Sequence, residues 1–386
     1  TINRGKYMVL SLSFNEVGDN HVEKSFNNNI NSAIMAFSKY YNKAGLLEVP
    51  IEINPSDAMD SFKRMLGAVK QSKYELYLIV DEYDSFANRL LLNIDTTVDD
   101  IGLKQYSHLI STNESILRNF GNMVKSGSSD AIARMFFTGI TPMAFCDAFS
   151  GLNMVEDISS RLIFSSTFGL TENDLKIALS KLTFSQEEQS KHLITLRSHL
   201  NGYRFNSCQE NGVYNPQACF YYLKHLVGTG EAPNPILDTN IASASDNVIE
   251  FLVRHRFAET VLENDLNSNW KDFIFGSLSS HEVKYNIRSA DLFDKDLSSV
   301  TLLSLAYHHG YLTYSKDINQ FKLVCPNLEL KRILMEALSR GNKSARSIIN
   351  DIIKEEEISN KSNRNKLFDN LMKLIEIVPK AIKELV

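Results

Sequence analysis

Apolar positions along this chain follow two rhythms. Three short, nearly continuous apolar runs read as strands covered on both faces: "YMVLSLSF" (Tyr7 to Phe14), "YELYLIV" (Tyr74 to Val80) and "RMFFTGIT" (Arg134 to Thr141). Between them the spacing changes to three and four. Val22, Phe26, Ile30, Ala33, Phe37 and Tyr41 form one helical face, and Met59, Phe62, Leu66 and Val69 another, with Ser56 as its expected N-cap. A further helical stretch covers Ile116 to Val124. Strands separated by helices predict an α/β domain built on a parallel sheet with helices on its faces.

From about Thr171 helical patterns dominate. The late strands "YLTYS" and "QFKLV" flank Lys316 to Asn319 as a hairpin and follow a helix ending near Gly310. Helix followed by hairpin has the pattern of a winged-helix unit, and equally that of a small hairpin packed on a helical bundle. After Asn342 two amphipathic helices are expected, the clearer carrying Leu367, Leu371, Leu374 and Val378. With 386 residues, more than one core is expected. The boundaries fall near 170/171 and 340/341, giving an α/β domain, a mostly helical lid with the hairpin at its end, and a helical tail.

The strand ending at Val80 runs directly into Asp81, Glu82 and Asp84. Ligands of open parallel sheets gather outside the carboxyl ends of the strands. An acidic pair placed there can hold Mg²⁺ through one carboxylate and polarise a water with the next. This is the Walker B arrangement of P-loop NTPases, with Asp81 as metal ligand and Glu82 as base for the attacking water. A strand ending in a solvated acidic loop fits the same four residues. "FFTGIT" delivers Thr138, Gly139 and Thr141 to the same edge if the two strands are neighbours, and a Thr138 hydroxyl there can sense a γ-phosphate. A threonine that merely caps the next segment is the plainer alternative.

Composition narrows the remaining classes. The chain is 43% hydrophobic and 23% charged, ordinary for a globular protein. A net charge of -5 offers no footprint of a dedicated DNA binder, although Lys316, Lys322, Lys331 and Arg332 would make a basic stripe if they shared a face. Cys146, Cys208, Cys219 and Cys325 are far apart and without CxxC spacing, so neither zinc nor a disulfide scaffold is suggested, and a reducing compartment is expected. His308 and His309 are adjacent and diverge on a helix, unlike metal ligands. No apolar run of membrane-spanning length and no secretory leader is visible, so an intracellular location, cytoplasmic or nuclear, is expected.

Taken in order, "LIVDEYD", "MFFTGITPMAFCDAFSGLNMVEDIS", "FGLTENDL", "LNGYRFNSCQENGVYNPQACFYYL" and "LAYHHGYLTYSKDINQFKLVCPNLELKRIL" resemble the successive blocks of the AAA-ATPase-like family, from about Tyr7 to Leu334. The resemblance implies a P-loop NTPase-like sheet followed by a helical lid, with ATP and Mg²⁺ as ligands. It assigns Asp81 to Mg²⁺ with Asp84 beside it at the nucleotide, Glu82 to water activation and Thr138 to a sensor position. It also matches Phe149 to Asn153 ("FSGLN"), Asn201 to Phe205 ("NGYRF") and Tyr214 to Pro216 ("YNP"). In these later blocks glycine, asparagine and proline set turns, and aromatics fill the core. Arg204 is the exception, a guanidinium able to stabilise phosphate charge in catalysis.

A P-loop ATPase also needs a turn of the form GxxxxGK[ST], and the 386 residues contain none. In the resembled family that loop and its strand precede the block matching "YMVLSLSF". The expectation is therefore an N-terminally incomplete sheet, from a fragment or a degenerate ATPase, inactive alone. Many relatives carry a PD-(D/E)XK nuclease-like domain, for which only Asp272, Glu282 and Lys284 offer scattered candidates. The alternative function is a non-catalytic NTPase-fold scaffold that binds protein, nucleic acid or a second copy through its C-terminal half.

Overall fold

The computed structural model describes residues 5–18, 21–93, 104, 106–112, 115–149, 154–238, 283–288, 291, 299–316 and 322–338. The chain divides into two compact units, Thr1–Glu156 with Tyr285–Asp296, and Asp157–Lys284 with Leu297–Val386. The first division thus lies at Glu156, ahead of the expected 170/171, and the expected tail 341–386 lies outside the described residues.

In unit 1, strands β1 (Tyr7–Ser13), β2 (Glu75–Asp81) and β3 (Ile132–Phe137) form a parallel sheet in the order β1-β2-β3. Leu10 stands opposite Leu78, Ser13 opposite Asp81, and Val80 opposite Phe137. Helices α1 (Val22–Lys43), α2 (Ala58–Gln71), α3 (Ser85–Asn93), α4 (Ile116–Gly127) and α5 (Met143–Ala148) intervene or follow.

Coverage of the sheet is one-sided in a way the apolar runs did not reveal. Met8, Leu10, Leu12, Leu76, Leu78 and Val80 are buried, whereas Val9 on the alternate face is 41% exposed. The period of two in the burial of β1 and β2 reflects Ser11, Tyr77 and their neighbours, side chains that tolerate water on the second face.

The buried face meets an aromatic cluster. Phe14, Phe26, Phe62, Phe86, Phe120 and Phe149 are each at most 1% exposed, with ring centroids of 4.9 Å for Phe14 to Phe26 and 5.5 Å for Phe14 to Phe120. Burying each such ring contributes about 1.5–3 kcal/mol. Gly121 in α4 is small for this reason: a Cβ there would stand 2.7 Å from Phe149 Cδ1.

Three sequence details are corrected locally. The N-cap of α2 is Asp57, whose carboxylate accepts from the Met59 and Asp60 amides, while Ser56 bonds to Asn54. Along α1 the buried position is Ile34 rather than Ala33, because the larger apolar side chain takes the inward place. The third strand begins at Ile132 and stops at Phe137; the Thr138 amide still donates to Val80 O, and the chain leaves the ladder at Gly139.

Unit 2 is mostly helical: α6 (Glu172–Ser180), α7 (Gln186–Leu200), α8 (Pro216–Thr229), α9 (Ser299–His308) and α10 (Leu328–Leu338). Thr171 with Asp174, and Ser185 with Glu188, form capping boxes. The "YNP" block starts α8: Asn215 caps it, Pro216 takes the first turn, and Tyr214 is wholly buried. After α9, Gly310 at φ +78 turns the chain into β4 (Thr313–Tyr314), which pairs antiparallel with β5 (Leu323–Val324). The tip of that hairpin lies outside the described residues. So do Leu367, Leu371, Leu374 and Val378, Ser150 to Asn153, and the nuclease-like candidates Asp272 and Glu282, whereas the third, Lys284, donates its backbone amide to Ser304 Oγ at 2.8 Å.

Candidate functional site

The site begins where β2 ends. Asp81 is the last residue of the strand and is exposed at the carboxyl edge of the sheet. Because β2 and β3 are direct neighbours, Thr138 arrives beside it: the Thr138 amide donates to Val80 O at 2.9 Å, and its hydroxyl donates to Asp81 Oδ1. The Glu82 amide reaches back to Thr138 Oγ1 at 3.4 Å, and the Tyr83 amide to Thr138 O at 3.0 Å. Asp81, Glu82 and Thr138 thus form one cluster across two strands. The threonine proton is committed to Asp81, since an ionised carboxylate is acceptor only.

Glu82 departs from ordinary backbone geometry. Its φ is +50°, in the left-handed region that a side chain with a Cβ enters only at a cost of order 1–3 kcal/mol. Partial burial raises its pKa above the usual carboxylate range, and the neighbouring Asp81 and Asp84 charges add to the rise, with Arg89 opposing it. A carboxylate held this way takes up a proton more readily than a solvated one.

Asp84 occupies a different environment from the one expected of a nucleotide contact. It is 1% exposed, and its carboxylate accepts from the Ile140 amide at 2.9 Å, the Thr141 amide at 2.6 Å, the Thr141 hydroxyl at 3.2 Å and Asn88 Nδ2 at 2.7 Å. Burial pushes its pKa up, and these hydrogen bonds offset that only in part. Its carboxylate pins the turn after β3 to the start of α3. Four consecutive sequence positions therefore split into outward Asp81 and Glu82 and inward Asp84.

The sequence did not single out the supporting residues. Tyr83 donates its hydroxyl to Thr141 O at 2.7 Å and packs on Phe145 at 5.6 Å. Arg89 bonds Ser85 Oγ at 2.7 Å and also Val17 O, and Ser85 Oγ donates to Asn15 at 3.4 Å, which ties α3 to the segment after β1. The Asp84 to Asn88 spacing of four was the available signal, since such pairs face each other once α3 forms. Gly139 explains its own place in "FFTGIT": a Cβ would fall 2.5 Å from Tyr83 Cε1 and 2.6 Å from Asp84 Oδ1. Gly139→Ala is therefore expected to lower stability by about 1–3 kcal/mol, as overpacking does. Urea unfolding checks it, and an unshifted midpoint would show that the Tyr83 ring yields freely.

These groups suit Mg²⁺ bound with a nucleotide better than Mg²⁺ held by protein alone. Among the described residues no group of three or more His, Cys, Asp or Glu side chains is arranged to hold a metal ion. One exposed Asp81 carboxylate, fixed by Thr138, matches the one or two protein ligands that Mg²⁺ takes when phosphates and waters complete its shell.

Residues 1–149 match the AAA-ATPase-like family. Its description is "Predicted AAA-ATPase". No curated protein and no solved structure matches the chain. The AAA-ATPase-like match ends at Phe149, so "NGYRF", "YNP" and the later blocks lie beyond it. Past the matched residues the described part of the chain is mostly helical, and no described helix is long and apolar enough to cross a membrane.

Arg204 belongs to that later region and is held within unit 2. Its backbone amide and carbonyl both bond Thr313 Oγ1, at 2.6 and 2.8 Å. Lys316, Lys322, Lys331 and Arg332 do not make a continuous basic stripe: Lys331 is 9% exposed, and Arg332 bonds Glu329 at 3.0 Å. Glu329 also accepts from His199 Nδ1 at 2.8 Å, which fixes α10 to α7.

Proposed function

We propose that residues 1–149 supply the metal-binding and water-activating half of an ATP-hydrolysing site. The observation that carries this is the Asp81, Glu82 and Thr138 cluster, assembled by the adjacency of β2 and β3 at the carboxyl edge of a parallel sheet. Asp81 would hold Mg²⁺, which when bound neutralises charge on the transferring phosphate. Glu82 accepts the proton of the attacking water, helped by its raised basicity. Thr138 orients the Asp81 carboxylate and the turn that presents Glu82, a positioning role in place of direct phosphate contact. Asp84 acts one layer behind, holding the two turns together. These 386 residues contain no GxxxxGK[ST] turn, so the assignment covers the metal and water half of the site alone.

Calorimetric titration of the chain with ATP and Mg²⁺, beside Asp81→Ala, tests this assignment. Binding that weakens at least tenfold in the variant is expected; equal binding in both would remove Asp81 as the metal ligand. Absence of binding in both would favour the second function, a scaffold whose C-terminal half, with α9, β4 and β5 as a winged-helix-like end, binds protein. One observation in unit 2, ahead of that C-terminal half, independently favours protein binding by this region: Leu162, Ile163, Phe164 and Phe168 are 51, 79, 38 and 62% exposed. A protein partner or second copy fits such a surface better than nucleic acid does.

A further inference from the structure

Unit 2 contains an open cavity of about 1010 Å³, with Arg197, Arg204, Lys316, Glu172 and Glu210 among its lining residues. Its charges are unequally committed. Arg197 is bound to Glu172 at 2.7 Å, and Glu172 also takes Lys176 at 3.0 Å, so that carboxylate is spent. Glu210 is exposed to solvent. Arg204 and Lys316 have no ion-pair partner among the described residues.

Arg204 is the informative member because everything around it except its charge is fixed. Tyr203 pairs with Val213, Phe205 donates its amide to Gln209 and accepts from the Tyr307 hydroxyl at 3.1 Å, and the Arg204 backbone clasps Thr313. The guanidinium is half-buried. Nη1 reaches Gly202 O only at 3.4 Å, and the buried Nε has no hydrogen-bond partner among the described residues. A partly desolvated cation without a carboxylate is costly, and here burial pushes its pKa below the usual arginine value. A rigidly placed, planar donor fork facing an open cavity is the arrangement that receives a carboxylate or phosphate.

We propose that this cavity binds a small ligand through a phosphate or carboxylate group, received by the Arg204 guanidinium with Lys316 as a second, exposed cation. The site lies wholly within unit 2, uses no residue of the Asp81 cluster and does not depend on ATP hydrolysis. It gives Arg204 a function of its own in place of a share in phosphoryl transfer.

Thermal unfolding of the full chain tests it, in matched ionic strength with chloride, pyrophosphate or citrate. Pyrophosphate, citrate or both are expected to raise the melting temperature above the chloride control, and the difference between the two arms identifies phosphate or carboxylate as the preferred group. The rise is expected to persist in Asp81→Ala, which separates this site from the nucleotide cluster. Arg204→Met is expected to lose the rise while melting no lower than the parent in chloride, because it removes an uncompensated cation and keeps the apolar stem. Lys316→Ala, an exposed change that leaves the fold intact, is expected to weaken binding several-fold. The proposal is overturned if neither anion acts beyond chloride, if Arg204→Met keeps the full rise, or if Lys316→Ala binds like the parent. It is also overturned if Arg204→Met melts lower in chloride, which would make the guanidinium structural, or if Asp81→Ala abolishes the rise.

Discussion

Glu82→Gln, in a protein that carries the phosphate-binding segment and turns over ATP, is expected to lower kcat by at least about a hundredfold while leaving ATP affinity within about twofold. Loss of a general base costs on the order of 10²–10⁴ in rate, and the amide has no basic oxygen to accept the proton of water. Binding should survive because Asp81 and Thr138 stay in place, with the Thr138 hydroxyl still donated to the carboxylate. Glutamine also keeps the size of the side chain in its left-handed backbone setting. Steady-state turnover together with calorimetric affinity separates the outcomes. Equal losses in kcat and affinity would mean that Glu82 contributes to binding. Unchanged turnover would remove it from the mechanism.

Gly202→Ala should be the most damaging single methyl in the described structure, with a loss of more than about 4 kcal/mol, at the diagnostic end of single-site effects. Two costs coincide. Gly202 has φ +107°, outside the range of L side chains, and a Cβ would stand 1.8 Å from Pro326 O, a backbone atom that cannot rotate aside. Relief in the other direction is blocked by Gly212, packed so closely that its own Cβ would lie 2.9 Å from Gly202 Cα. The clash wedges the "NGYRF" loop away from the segment leading into α10, where Asn327 Nδ2 donates to Asn201 O at 3.0 Å. Chemical denaturation of the variant checks this. Gly228→Ala is the control, because nothing lies within 4 Å of its Cβ position and it sits in α8. That change should be neutral or stabilising by up to about 1 kcal/mol. Equal midpoints for Gly202→Ala and the control would show that Pro326 moves aside at little cost.

Much of the sheet was legible because its information is local. Nearly unbroken apolar runs between helical patterns gave the strands Tyr7–Ser13 and Glu75–Asp81 to within about one residue, and placed Ile132–Phe137 two residues late at its start and four at its end. Boundaries drifted where neighbours rather than propensity end an element. Thr138 still bonds Val80 O, but Gly139 leaves the ladder to admit the Tyr83 ring. One-sided burial was hidden as well, since Val9 is as apolar as Met8 and only the packing distinguishes them.

For the candidate site, the sequence alone determined which chemistry was available: carboxylates at a strand end, a threonine at the next, and one arginine in a glycine-containing turn. Tertiary structure decided what each group faces. Adjacency of β2 and β3 joins Thr138 to Asp81 across 57 residues of sequence. Capture by Ile140, Thr141 and Asn88 turns Asp84 inward. Within unit 2, the grip of Thr313 and the packing of Gly202 on Pro326 hold the Arg204 backbone while its guanidinium remains without a carboxylate. The physical reason is range. Propensity and periodicity act over a few residues and are written in the chain, whereas desolvation and hydrogen-bond partnership depend on atoms that only folding brings together.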